Sequence, residues 1–145
     1  MSSIEKISGL LKDELSAAQT YQQILDKLKE QAALGDTESL FPIYENHKSA
    51  ASCLQTQILE LGGTPSQDTG AWGAWTKIVM GSANLLGKQA ALMILQEGEK
   101  TGVVDYEQAM LDQELPWDFR SLIETKLLPD QRSHIRILDR LLESL

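Results

Sequence analysis

Ile4, Ile7, Leu11, Glu14, Ala18, Tyr21, Leu25, Leu28 and Ala32 recur at alternating steps of three and four. That spacing lines one face of an α-helix and matches no face of a β-strand. A stripe this long commits its segment to a helix that must lie against other apolar surface. Within it only Glu14 is charged. A carboxylate facing a core without a partner costs several kcal/mol, so it is neutralised, paired or bound to a metal.

The same step recurs along the chain, with few prolines and almost no β-branched clusters. The first helix is expected over residues 3–34, with Gly35-Asp36-Thr37 supplying a C-terminal glycine and a fresh N-cap. A second carries Leu40, Tyr44, His47, Ala51, Leu54, Ile58 and Leu61 on one stripe and stops at Gly62-Gly63-Thr64-Pro65. Pro42 is expected in or near its first turn, where proline is tolerated. From Thr69 to Gln96 only Lys77 and Lys88 are charged, and Gly81-Ser82-Ala83-Asn84 divides this apolar stretch. The division predicts a short crossover helix over residues 70–80 and a long third helix over 84–112. Leu86, Ala90, Met93, Glu97, Thr101 and Val104 are expected to face inward from the third helix. A last helix starts near Pro116 and carries Leu127, Gln131, His134, Leu138, Leu141 and Leu145, with a kink at Pro129. Two hairpins joined by a long crossover make an all-α, antiparallel four-helix bundle in a single domain spanning 1–145.

Composition narrows the partners. A formal charge of −8, acidic in both halves, leaves no basic face for a phosphate backbone, so nucleic acid is excluded as a natural partner. The single cysteine, Cys53, makes no intramolecular disulfide and reads as a buried structural thiol of a cytoplasmic protein. The N-terminus interleaves charged and apolar residues, unlike a signal peptide, and no run of eighteen apolar residues offers a transmembrane segment. Trp72 and Trp75 in the apolar crossover suit a lid over one end of the bundle or, as the functional alternative, a homodimer interface. Phosphate-binding glycine loops, Gly-x-Ser-x-Gly, His-Glu-x-x-His and Cys-x-x-Cys are all missing, and no small-molecule substrate is indicated.

Inward positions of the four long helices therefore carry Glu14, His47, Glu97 and His134, with Tyr21 and Gln131 nearby. Gly98, inside a helix at a cost of roughly 1 kcal/mol relative to alanine, either admits a close approach beside Glu97 or is a tolerated weak spot. Glu14-x-x-Ala17-x-x-x-Tyr21 resembles the first-helix motif of the bacterioferritins and rubrerythrins of the ferritin-like superfamily, and the span from Tyr21 to Leu61-Gly62-Gly63-Thr64-Pro65 is similar to the bacterioferritin spacing. More closely, that helix end, Trp75, Glu97-Gly98-Glu99, Tyr106 and His134-x-x-Ile137-x-x-Leu141 resemble an uncharacterised bacterial family of ferritin-like four-helix bundles, a domain of unknown function.

The resemblance implies a di-iron pattern with one Glu on each of two helices and Glu-x-x-His on each of the other two. Glu14, Glu97 and His134 fall on its positions. His47-Lys-Ser-Ala50 replaces one Glu-x-x-His, and Gln131 replaces the glutamate of the other, so both metal-bridging carboxylates are gone. A dinuclear centre is not expected without them. Two readings stand. One is a non-catalytic binding or structural protein with a degenerate di-iron site, its four polar groups neutral overall and mutually hydrogen bonded. The other is a mononuclear protein holding one Fe, Mn or Zn ion on Glu14, His47, Glu97 and His134, with Tyr21 and Gln131 in support, a metal-binding protein or an oxidoreductase of stress metabolism.

Overall fold

The computed structural model describes residues 1–30, 34–67 and 85–145. Helix is the only regular secondary structure among them. It forms α1 (Ser3–Glu30), α2 (Leu34–Glu60), α3 (Leu85–Met110), α4 (Trp117–Leu122), a π-helical turn (Ile123–Leu127) and α5 (Leu128–Glu143). No described helix is long and apolar enough to cross a membrane. The crossover helix and the dimer interface expected at Trp72 and Trp75 fall outside the described residues.

Contacts between helix ends define the packing. A Cβ on Gly63, just past α2, would stand 3.0 Å from Ile4 at the start of α1, so these two helices run antiparallel. Lys6 of α1 pairs with Asp112 and Glu114 beyond the end of α3, at 2.6 and 2.9 Å, which sets α1 antiparallel to α3 as well. Arg132 reaches Glu107 at 3.3 Å while Gln96 bonds Asp139, so α5 runs back along α3. Asn46 to Asp130, 3.2 Å, joins α2 to α5 and closes the arrangement. Each long helix thus has two antiparallel neighbours.

Local chemistry explains the boundaries. Ser2 Oγ accepts the Glu5 amide at 3.2 Å and caps α1. At the end of α2, the Gly63 N–H donates to Ile58 O at 2.9 Å and the Gly62 N–H to Leu59 O at 3.0 Å. This is the paired closure of a Schellman motif, and Gly62 supplies the left-handed residue with φ 86°. The neighbouring Gly63 is there for proximity, since a side chain would press on Ile4 and Ile58.

Four expectations need correction. Because α1 ends at Glu30 and α2 begins at Leu34, residues 35–37 lie inside the second helix. Pro42 is consequently well within α2 rather than in its first turn; it faces solvent, where water can satisfy the carbonyl it leaves unbonded. Pro129 also behaves differently from a simple kink. Leu128 donates across five residues to Ile123 O, forming the π turn, and α5 starts anew at Leu128. Pro129 then occupies a first turn, where its missing N–H is not needed. Cys53 is half-buried rather than fully enclosed.

The interior has two apolar regions. One gathers Ile7, Leu11, Leu54, Ile58 and Phe119 towards the end where α1 begins; the other gathers Tyr21, Ile24, Leu40, Leu95 and Leu138 towards the opposite end. Between them lies a layer of buried polar side chains. Phe119, with no exposed surface, anchors the short α4 beneath the first region. Phe119→Ala should cost about 3–5 kcal/mol by urea denaturation. A loss under about 1 kcal/mol would show that α4 does not contribute to that core.

Candidate functional site

The polar layer is built from one or two side chains of each long helix. Glu14 comes from α1, His47 from α2, Glu99 from α3, and Gln131 and His134 from α5, all buried. His47 is the hub. Its Nδ1 lies 2.5 Å from Glu14 Oε2 and its Nε2 2.6 Å from Glu99 Oε1. A carboxylate oxygen faces each ring nitrogen, so both nitrogens donate and the ring is an imidazolium.

Tyrosines complete the carboxylates. Tyr106 Oη donates to Glu14 Oε1 at 2.6 Å, and Tyr21 Oη donates to Glu99 Oε1 at 2.8 Å. The sequence separation from Glu14 to Tyr21 equals that from Glu99 to Tyr106, two helical turns in each case. Because α1 and α3 are antiparallel, each tyrosine reaches the glutamate of the other helix. His134 Nδ1 stands 3.3 Å from Glu99 Oε2, and its ring centroid is 4.7 Å from that of His47. Gln131 turns its amide to the backbone carbonyl of Glu99, at 3.4 Å. No buried side-chain nitrogen or oxygen among the described residues lacks a hydrogen-bond partner.

Electrostatics follow from this geometry. Burial alone would lower the pKa of His47, but the charges of Glu99 and Glu14 overcome it and raise the value to about 10. Burial alone would raise Glu99. The His47 charge and the hydrogen bond from His134 reverse that and bring it to about 2. Tyr21 and Tyr106 are held well above the usual phenol value, first by burial and then by the Glu99 and Glu14 charges respectively, so both remain donors.

Glu97 does not join the cluster. Its side chain is 76% exposed and lies 3.7 Å from Lys100 on the helix surface. Met93, Thr101 and Val104, expected inward with it, are exposed too; Ala91, Leu92, Leu95, Glu99, Gly102 and Tyr106 are buried instead. The inner face is therefore displaced by two residues, about 200° around a helix of 3.6 residues per turn. A close approach does occur at Gly102, where a Cβ would collide with the Gln131 amide.

Three potential ligand atoms, one each from His47, Glu99 and His134, lie within 4.8 Å of one another. Glu14 is on the far nitrogen of His47, where it orients the ring. The sequence singled out Glu14, His47 and His134 for the site, with Tyr21 and Gln131 beside them; Glu99 and Tyr106 entered only as marks of the family resemblance, and Asp13 was passed over. The repeated Glu-to-Tyr spacing was the signal that identifies Glu99. Asp13, next to Glu14, shares a hydrogen bond with Asp105; burial, then that bond and the Asp105 charge, push its pKa up to about 8.

Stability should depend on pH in a defined way. The His47 contribution is complete below its ordinary value of 6.5 and is lost as pH rises through about 10. The Glu99 contribution is complete above its ordinary 4.5 and is lost as pH falls through about 2. For Asp13, an acid whose value rises on folding, the contribution is present below 3.8 and lost as pH rises through about 8. Thermal unfolding across pH should show Asp13→Asn gaining on the wild type between pH 4 and 9; parallel curves would contradict the shared proton. His47→Gln should cost about 3–5 kcal/mol near neutrality, because it leaves two buried carboxylates without their cation.

No family model, curated protein or solved structure matches this chain, so its chemistry is read from the cluster itself.

Proposed function

We propose that this chain is a ferritin-like bundle whose core holds a single divalent transition ion on His47, Glu99 and His134. The observation that carries the reading is the convergence of two imidazoles and one carboxylate, from three helices, within 4.8 Å. An ion with ligand distances of about 2.1 Å spans at most about 4.2 Å between ligands, so the donor set needs only a small contraction. Two histidines and one carboxylate suit Fe, Mn or Zn, and leave coordination positions for water or a small exogenous ligand. Bound there, such an ion supplies Lewis acidity and, for Fe or Mn, redox capacity.

The neighbouring residues support this use. Glu14 accepts from Nδ1 of His47, which leaves Nε2 as the nitrogen facing Glu99 and His134. A carboxylate behind a histidine fixes the ring and raises its basicity as a ligand. Tyr106 holds Glu14 in turn, and Tyr21 holds Glu99. With the bridging carboxylates replaced by His47 and Gln131, a single ion is favoured over a pair.

A second reading rests on a separate observation: His47 as an imidazolium already satisfies Glu14 and Glu99 through both nitrogens. In that reading the layer is a metal-free polar lock in a non-catalytic binding or structural protein. Elemental analysis of untagged protein, before and after anaerobic reconstitution with Fe(II), Mn(II) or Zn(II), distinguishes the two. About one ion per chain in the wild type, lost in a folded His134→Ala variant, is the expected result. Substoichiometric metal after reconstitution would overturn the metal reading and leave the lock.

A further inference from the structure

Two cavities meet beside the cluster. The first is an open groove of about 430 Å³ between α1 and the C-terminal half of α3, lined among others by Lys6, Leu10, Asp13, Asp105, Gln108 and Asp112. The second is an internal space of about 10 Å³ bordered by Leu10, Asp13, Glu14, His47, Gly102 and Gln131. Leu10 and Asp13 line both, so they form the partition between the groove and the space beside Glu14 and His47. Asp13 is half-buried and carries the only carboxyl group common to the two spaces, while the next residue, Glu14, bonds His47 directly. Above and below this layer, among the described residues, lie the two apolar regions.

The groove is acidic on balance. Asp105 and Asp112 line it beside Asp13, which keeps its proton up to about pH 8, and the lysine in the lining, Lys6, is held by Asp112 and Glu114 at 2.6 and 2.9 Å. A cleft of this kind concentrates cations and raises their rate of arrival. The absent side chain at Gly102 matters on the inner side, where it leaves the Gln131 amide room beside the internal space.

We propose that the α1–α3 groove is the route by which a divalent cation reaches the cluster, arriving on the Glu14 side of His47, with the Asp13–Asp105 pair at its inner end guiding it across the partition. This rests on the metal reading above. It assigns Asp105 and Gln108, neither of which touches the cluster, a part in the rate of loading and none in the final affinity.

Stopped-flow mixing of the full chain with Co(II), followed by the visible absorption of the bound ion, tests it. Wild type should load one Co(II) per chain. Asp105→Asn, which keeps a hydrogen-bonding partner for Asp13, should load about tenfold more slowly, to the same stoichiometry and the same spectrum. Gln108→Lys, an exposed substitution at the groove, should slow loading too, with the deficit shrinking as salt is raised. Asp26→Asn, an equal charge change on exposed α1 surface, serves as the control and should load at the wild-type rate. Wild-type rates in both groove variants would overturn the route while leaving the metal site standing. Failure of the wild type to bind Co(II) would overturn the metal reading and the route together.

Discussion

The imidazolium of His47, bonded to Glu14 on one side and Glu99 on the other, is the contact on which the middle of this bundle depends. It takes one side chain from each of α1, α2 and α3 and holds them at 2.5 and 2.6 Å. Two buried carboxylates would otherwise face each other across a dry interior, where repulsion and lost hydration each cost several kcal/mol. Tyr106 and His134 then become necessary, because the oxygens that His47 does not use, Glu14 Oε1 and Glu99 Oε2, still require donors, while Tyr21 adds a second donor to the Glu99 oxygen that His47 already holds. The requirement is exacting: α1 and α3 cannot slide by a turn without breaking both tyrosine bonds, whereas apolar contacts would re-form in the new register. A polar layer between two apolar regions thus fixes helix register, as buried polar positions do in coiled coils.

The crossed Glu-to-Tyr pairs show how an antiparallel bundle builds such a layer economically. One spacing, used once on α1 and once on α3, gives two hydrogen bonds of opposite direction. The histidines do not follow the same pattern. His47 bridges both carboxylates, whereas His134 meets only Glu99 at 3.3 Å and shares α5 with Gln131. The asymmetry concentrates ligand atoms on the Glu99 side and leaves Glu14 as the support behind the ring. It also puts the internal space on the Glu14 side, against Asp13 and the groove.

Much of this was legible in the chain, and the omissions have physical causes. On α1 the stripe was unambiguous because polar residues fill the opposite face, so Glu14 and Tyr21 were located by spacing alone. On α3 the run Leu92-Met93-Ile94-Leu95 is apolar all round, and periodicity cannot choose a face there. Glu97 and Glu99 then compete as inward carboxylates. Tyr106 decides for Glu99, and Lys100, three residues after Glu97, gives that residue a surface partner. The π turn at Ile123–Leu127 has no periodic signature, although a proline two residues later should have prompted a search for rearranged backbone bonds. The Asp13–Asp105 pair was beyond reach, because it depends on the lateral contact of α1 with α3.

The structural and metal readings turn on the same atom. His47 Nε2 is now a donor to Glu99; as a ligand it must offer a lone pair, so it cannot serve both roles at once. Glu14 makes this exchange selective, since it keeps the proton on Nδ1 in either state and confines the change to the side facing Glu99 and His134. Loss of the Nε2 proton removes one positive charge from between two carboxylates, and that charge has to be replaced for the layer to stay closed. A divalent cation replaces it and adds one more, which offsets the net negative charge of Glu14, Glu99 and a singly charged His47. On the metal reading, the hydrogen-bonded layer is a site already organised for an ion, with a proton where the metal bond would form. Its selectivity would then come from how far His134 and Glu99 can draw together, because the two apolar regions on either side limit any larger movement.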